Sequence, residues 1–399
     1  MGDPSPRKDI MDFEIVQIEL GDPALREFVE VPWALFRGDP NWTPPLRAEL
    51  LGSRLFGITG LLSKEHPYHE TADVTHFLAR SGRRLLGRVS AAINRRFAEH
   101  WGEKIGFFGF FDVCPDYEVA ASLLDRAADW LSERGAERVR GPGGYSTATH
   151  EAHQGILIDG FEFPPTVELT HNPPYYGEFL ERYGFSKVKD YHAYRIEISD
   201  RPGERLRRIA SAVRGRRPIE TRSIDLKRLR SEVDLIVSIY NEAWSRNWGF
   251  LPLTDAEAEA MASSLRFVAD PGLIRFAYIA GEPAAVLGAL PDPNVPLRPR
   301  WNRFRDSDPI RILRLLRTRR RIPRTRLMFF GIRPKFRKLG IDAVLYLEVL
   351  EHAIKRGYKI CEPSLLLEDN DLILRGSASM GGVRYKAWRI YEMPLSGGK

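Results

Sequence analysis

The chain has 399 residues, 43% of them hydrophobic and 28% charged, with a formal net charge of +7. That length exceeds one typical domain and supports two, and the composition excludes a disordered chain. With only Cys114 and Cys361, a disulfide framework and a four-cysteine zinc site are excluded, and two reduced core thiols are expected.

No apolar run reaches the roughly 18 residues of a membrane span. The opening MGDPSPRKDIMDFE lacks the apolar core of a secretory signal, and Pro6 stands where a myristoylation motif has Ser or Thr, so a cytosolic protein is expected.

In chain order, VTHFLARSG and RRLLGRVSAAIN (74–94) alternate as strands. IGFFGFFDVCP (105–115) follows as a third, and Ala120, Leu124, Ala127 and Leu131 then recur at helical spacing before Gly135 and AERVRGP. Asn172 precedes a helix-like PPYYGEFLERYGF and the strand DYHAYRIE. A Pro-Gly break inside ISDRPGERLRR (198–208) marks the boundary between domains 1–200 and 201–399. Beyond it the design repeats. RRPIETRSIDL, the helix EVDLIVSIYNEAW and the strands IRFAYIAGE and AAVLGAL lead to LMFFGIRP (327–334), and Ala343, Leu347, Leu350 and Ile354 take the same helical spacing before Gly357 and YKICEPS. Asn370 then precedes another helix and the strand RYKAWRIYE. Agreement in order across four elements argues for a duplicated α/β fold with mixed sheets.

The copies differ where strand hands over to helix. Pro115 to Ala120 is five positions, whereas Pro334 to Ala343 is nine. The added residues fall in RPKFRKLGID (333–342). A glycine at a helix entrance lets several free N–H groups converge on one spot, and the helix dipole adds positive potential there. Gly340, with Arg337 and Lys338, would make a pocket suited to a diphosphate, with an ordinary loop before a helix N-terminal glycine as the alternative.

Charge is uneven as well. Twelve arginines lie between Arg298 and Arg326 against Asp306 and Asp308, and PIRILRLLRTRRR (309–321) carries an apolar stripe flanked by arginine. Arg311–Arg321 could lie on an anionic membrane surface, the inner membrane face for a peripheral protein, or form a plain solvated helix. Nucleic acid is the weakest partner, because no stacking aromatics interleave with these arginines.

The loop Arg337-Lys338-Leu339-Gly340-Ile341-Asp342 resembles the Q/R-x-x-G-x-G/A signature of the GNAT superfamily of acyl-CoA dependent N-acyltransferases, with Asp342 in place of the usual small residue. The resemblance implies two tandem GNAT domains, each a central mixed sheet flanked by helices. It implies acyl-CoA, acetyl or long-chain, as co-substrate and no metal. Arg337, Lys338, Gly340, Ile341 and Asp342 would hold the pyrophosphate, the strand through Phe330 and Ile332 would offer main-chain groups to the thioester, and Asn370 would stand near the pantetheine arm. The tyrosine common in the helix after Asn370 is replaced by Ser377 and Ala378. The first copy lacks the loop. Its GPGGYSTATHEAHQGILIDGFEFPPTVELTHNPPYYGEFLERYGF (141–185), with NEAWSRNWGFLP (241–252) and LEDND (367–371), resembles a bacterial tandem group that includes ceramide synthases, which acylate a sphingoid base.

Amide formation needs a neutral amine, donors for the oxyanion and a base. Glu362, on the strand after the cofactor helix, is the first candidate base, with a structural carboxylate as the alternative. His171 is the second, with a loop-stabilising role as the alternative. Trp248 and Phe250, in a loop interrupted by Gly249 and Pro252, and Tyr176, as a wall, are expected at the substrate, with core packing under the loop as the alternative for the first two. A GNAT-like sensor or scaffold that binds acyl-CoA or a membrane without catalysis is the other reading of the whole chain.

Overall fold

A computed structural model describes residues 12–148 and 150–395, with the backbone alone over 261–267; Pro6 and the opening segment lie outside the described residues. The first half contains β1 (Glu14–Ile18), α1 (Leu25–Leu35), α2 (Arg47–Leu51), β2 (Ala72–Ser81), β3 (Arg84–Asn94) and α3 (Arg95–Trp101). It continues with β4 (Ile105–Val113), α4 (Tyr117–Ser132), β5 (Arg138–Gly143), β6 (Ile156–Asp159), α5 (Tyr175–Tyr183) and β7 (Ser186–Glu197). A basic helix, α6 (Glu204–Arg216), leads into the second half. There follow β8 (Ile219–Ser223), α7 (Leu229–Ala243), α8 (Asp255–Val268), β9 (Ile274–Ile279), β10 (Glu282–Pro291), α9 (Asn294–Leu297), α10 (Asp308–Thr318) and β11 (Arg324–Ile332). The chain closes with α11 (Ile341–Arg356), β12 (Ile360–Pro363), β13 (Leu366–Leu367), α12 (Asp371–Ser379) and β14 (Val383–Pro394).

The strands form one sheet in the order β1-β2-β3-β4-β5-β14-β7-β12-β11-β10-β9-β8. Within each half the pairs are antiparallel until the βαβ unit, where β4 runs parallel to β5 and β11 parallel to β12. The final strands are exchanged. β7, which ends the first half in sequence, pairs with β12 of the second, and β14 pairs with β5 of the first. β7 and β14 also pair with each other along nine residue positions, Trp388 opposite Tyr191 at the middle. The sequence halves are therefore interlocked through main-chain hydrogen bonds that neither half could satisfy alone. Trp388 and Ile390 of β14 are fully buried at this seam.

The arginine-rich segment is a strut between the halves. Arg311 is fully buried, not turned to a surface: its guanidinium donates to the carbonyls of Pro44 (2.6 Å), Pro45 (3.0 Å) and Leu297 (3.0 Å). This corrects the expectation for the first arginine of Arg311–Arg321. A guanidinium has five donors and no acceptor, so it bridges several carbonyls that no hydrophobic residue could satisfy. Nearby, Asp308 accepts the N–H of Ala48 at 2.7 Å, and Trp301 stacks on Trp42 with ring centroids 5.9 Å apart. Both cysteines are free thiols.

Candidate active site

The site begins where β11 and β12 part. Their parallel pairing runs only from Arg324 opposite Ile360 to Leu327 opposite Pro363. On the other edge the register to β10 slips between Gly288 and Ala289, leaving Met328 as an extra residue, a bulge that bends β11 away. The result is a wedge-shaped opening beside Met328–Ile332. Leu327 to Phe330 keep exposed surface although they lie in a central strand.

Main-chain direction in the wedge follows from alternation. The N–H of Arg333 bonds to the carbonyl of Ala284 on β10 at 2.9 Å. Ile332 and Phe330, one and three residues earlier, therefore point their main-chain groups the opposite way, into the opening. Their carbonyls are occupied there: Trp244 Nε1 donates to Phe330 at 3.0 Å and Arg337 Nε to Ile332 at 3.4 Å. The groups these two residues present to the wedge are thus N–H donors, suited to a carbonyl oxygen that gains negative charge.

At the far end lies the loop 333–342. Lys338 (φ 62°) and Gly340 (φ 81°) are both left-handed, and Gly340 is the residue before the first turn of α11. A Cβ at Gly340 would come within 2.5 Å of Val213 Cγ2 on α6, so the glycine serves both the turn and the close approach of α6. Arg337 donates Nη2 to the carbonyl of Ala243 at 2.6 Å, pinning the loop to the C-terminal end of α7. Pro334, Lys335, Arg337 and Lys338 remain exposed, as does Asp342 in the first turn. The entrance of α11 is open on this side, with cationic side chains around the first-turn amides, of which that of Ala343 turns back to the carbonyl of Gly340 at 3.2 Å. These residues fit a diphosphate.

On the α7 side of the sheet the wedge meets a polar cluster contributed by both halves. Glu362 is 1% exposed; Thr166 Oγ1 donates to its Oε1 at 2.7 Å and the hydroxyl of Tyr385 donates to Oε2. Asp292 accepts from Arg324 Nε at 2.7 Å, and Arg326 donates to Ser364 (2.9 Å) and the carbonyl of Val167 (2.6 Å). Lys386 donates to the carbonyl of Gly160 at 2.9 Å, and burial pulls its ammonium down to about 8. Burial and the charge of Arg326 hold His153 neutral, down to about 4.

Glu49, which no sequence pattern distinguishes, stands at the rim of this cluster. Glu49 is exposed, and the protein packed beside its carboxyl raises it to about 7, with Glu168 adding to the rise and Arg311 opposing it. One oxygen accepts the N–H of Leu46 at 3.2 Å. Glu168, whose side chain is 44% exposed, lies 3.4 Å from Arg326 Nη1 and links Glu49 to the wedge. Glu151, half-buried, is likewise raised to about 7, chiefly by loss of solvent around its carboxyl.

The other expected residues are placed as follows. His171 is buried with Nε2 3.1 Å from Asp39 Oδ2, holding a first-half loop. Asn370 caps α12 by accepting the N–H of Ile373 at 3.4 Å. Trp248 packs on Tyr191, across the seam of the halves, with Arg140 5.2 Å over its ring. Two residues expected at the substrate are core residues. Phe250 is 1% exposed and packs on Tyr240 of α7. Tyr176 is fully buried in the first half, its oxygen accepting the N–H of Val113 at 2.8 Å. Among the described residues no cluster of metal-ligating side chains occurs, and no helix is long and apolar enough to cross a membrane.

The architecture defines the class: a tandem GNAT fold. A tandem GNAT protein from the clavulanic acid biosynthesis pathway matches 97% of this chain and all of its own with a TM-score of 0.56 at 11% identity. A GCN5-related N-acetyltransferase from Sphaerobacter thermophilus matches 96% of this chain and 97% of its own with a TM-score of 0.52 at 15% identity. No family model matches the sequence. The bacterial ceramide synthase of Caulobacter vibrioides is 32% identical over 394 residues, 97% of this chain and 99% of that protein. Protein YghO of Escherichia coli is 28% identical over 386 residues, covering 96% and 95%. The chain belongs to the family of the bacterial ceramide synthase.

Proposed function

We propose that the chain transfers an acyl group from acyl-CoA to a primary amine, and that the amine is a long-chain base of the sphingoid type. The observation that supports this most is the wedge beside β11, where the N–H groups of Phe330 and Ile332 face an opening that runs from the α11 entrance to the shared polar cluster. The loop 333–342 binds the diphosphate of the acyl donor. The N–H groups in the wedge steady the oxyanion as the amine attacks the thioester, and the thiolate leaves along the same channel.

Glu49 accepts the amine proton, because a carboxyl held at about 7 is half ionised near neutral pH and one of its oxygens is free of the Leu46 amide. Glu362 and His171 position the site: the carboxylate oxygens of Glu362 and Nε2 of His171 are already engaged. The name of the Caulobacter relative supports the choice of amine. The outward residues of α10 and the exposed Phe304 turn the protein toward an anionic membrane from which such an amine is taken.

The test is release of free thiol from palmitoyl-CoA in the presence of sphinganine, with the amide identified by mass. Thiol release without amide, or acyl-CoA binding without either product across a panel of amines, contradicts it; the second outcome would leave an acyl-CoA sensor.

A further inference from the structure

A cavity of about 570 Å³ opens between α9, α10 and the segment that joins them. Arg298, Arg300, Arg314 and Arg321 line it, with apolar walls that include Val295 and Ile322. No carboxylate is in the lining. The nearest acids are committed elsewhere: Asp306 accepts the N–H groups of Arg300 (2.8 Å) and Asn302 (2.9 Å), and Asp292 accepts from Arg324 (2.7 Å) and the N–H of Val167 (2.9 Å). Arg314 Nε is buried and has no hydrogen-bond partner among the described residues. Burial and the charge of Arg300 disfavour the cationic form of Arg314, and burial and Arg324 do the same at Arg298. Asp306 opposes this at Arg314 and Asp292 at Arg298, but neither acid lines the groove, so the four guanidinium groups gathered there favour an anion placed between them.

We propose that this groove binds a phosphate-bearing ligand, the headgroup of an anionic phospholipid or a free phosphate compound. The planar guanidinium fork matches phosphate oxygens in pairs, and four forks suit one or two phosphates. The groove is distinct from the α11 entrance. It sits by Arg324, at the opposite end of the nine-residue β11, roughly 26 Å away along an extended strand. Leu313 and Leu316, each 42% exposed, stand on the same helix, and Phe304 is 74% exposed just before it, so a headgroup could be held while apolar side chains enter the lipid. This deepens the membrane reading above, but the groove rests on its own residues.

The experiment has two probes: cosedimentation with phosphatidylglycerol-containing vesicles against pure phosphatidylcholine, and titration with inorganic diphosphate. Arg298→Gln with Arg321→Gln removes two groove charges while leaving the bond from Arg314 to the Arg298 carbonyl in place. Arg317→Gln with Arg320→Gln removes the same charge from α10 and its continuation, outside the groove. Leu313→Gln with Leu316→Gln removes the apolar face alone. The groove variant is expected to bind the responding probe at least 10-fold more weakly, with the outside variant within 3-fold of wild type. A response to vesicles that the leucine variant also loses assigns a lipid headgroup. A response to diphosphate alone that the groove variant loses keeps the site, assigns a free phosphate compound and removes the membrane reading, whereas a diphosphate response that the groove variant keeps belongs to the α11 entrance and overturns the proposal. Equal losses in the groove and outside variants, or no binding of either probe by wild type, overturn the proposal.

Discussion

The two halves end corresponding strands in opposite ways. In the first half the N–H of Val113, the last residue of β4, goes to the hydroxyl of Tyr176, and its carbonyl takes the hydroxyl of Tyr175 at 2.8 Å. The helix that follows is capped at once by Asp116, whose carboxylate accepts the N–H of Glu118 at 3.0 Å. Pairing between β4 and β5 continues to Gly109 opposite Gly143, and Tyr145 lies fully buried just beyond. In the second half the corresponding Ile332 keeps its N–H toward an opening, and cationic side chains surround the helix entrance. Duplication thus left one channel plugged by tyrosines and an acid and one open and basic. A fold can keep its architecture while a few polar contacts decide which copy carries a ligand.

The largest way to break this comparison is to fill the open side. Gly340→Trp adds bulk at a left-handed position that already approaches Val213. Acyl-CoA affinity is expected to fall by about 100-fold or more, with a lower melting temperature as α6 is pushed off, because the loop that approaches the phosphate is displaced. Next, Glu49→Gln is expected to lower kcat by about 10²–10⁴-fold, the usual contribution of a positioned base. In wild type, kcat/KM should rise through about pH 7 as Glu49 ionises, and the variant's profile should be flat there.

The stability effect of Glu49 runs the other way. Its folded value lies above the ordinary 4.5, so the folded state holds the extra proton between about 4.5 and about 7, and stability is lost as pH rises through that window. Thermal melting should therefore show the Gln variant gaining on wild type at pH 8 and not at pH 4.

Glu362→Gln sharpens the division between base and scaffold. It puts an amide where Thr166 and Tyr385 both donate, and a stability loss of about 1–3 kcal/mol is expected from the mismatched buried donor, read by urea denaturation. The smallest effect is predicted in the plugged half. Tyr176→Phe should cost about 1–2 kcal/mol by stranding the Val113 amide, with acyl transfer unchanged. A change in kcat on that substitution would show that the first-half channel takes part after all.

Much of this was legible in the sequence because it is local. Strand alternation, helical spacing and the four-residue difference between Pro115–Ala120 and Pro334–Ala343 reported the duplicated units and the half that keeps the loop. What depended on long-range pairing was not. Nothing in DYHAYRIE or RYKAWRIYE says that these strands trade places, since either sheet offers the same ladder. Phe250 stands in a segment that Gly249 and Pro252 mark as a loop, and Tyr176 in a helix-like segment that could equally wall a cleft, whereas the structure folds both into cores. Arg311 read as one of a basic run, and only the carbonyls of Pro44 and Pro45, 266 residues earlier or more, reveal it as a strut. Glu49 lies in a short helix after two prolines and becomes notable only through the charges of Glu168, Asp308 and Arg311 that the fold brings beside it.

The central claim is that the second half alone seats the diphosphate and thioester of the acyl donor. Amide hydrogen exchange with and without a non-hydrolysable acyl-CoA analogue tests it directly. Peptides covering 330–343 should gain protection while those covering 113–120 stay unchanged; protection at 113–120, or none at 330–343 under saturating ligand, would contradict the account.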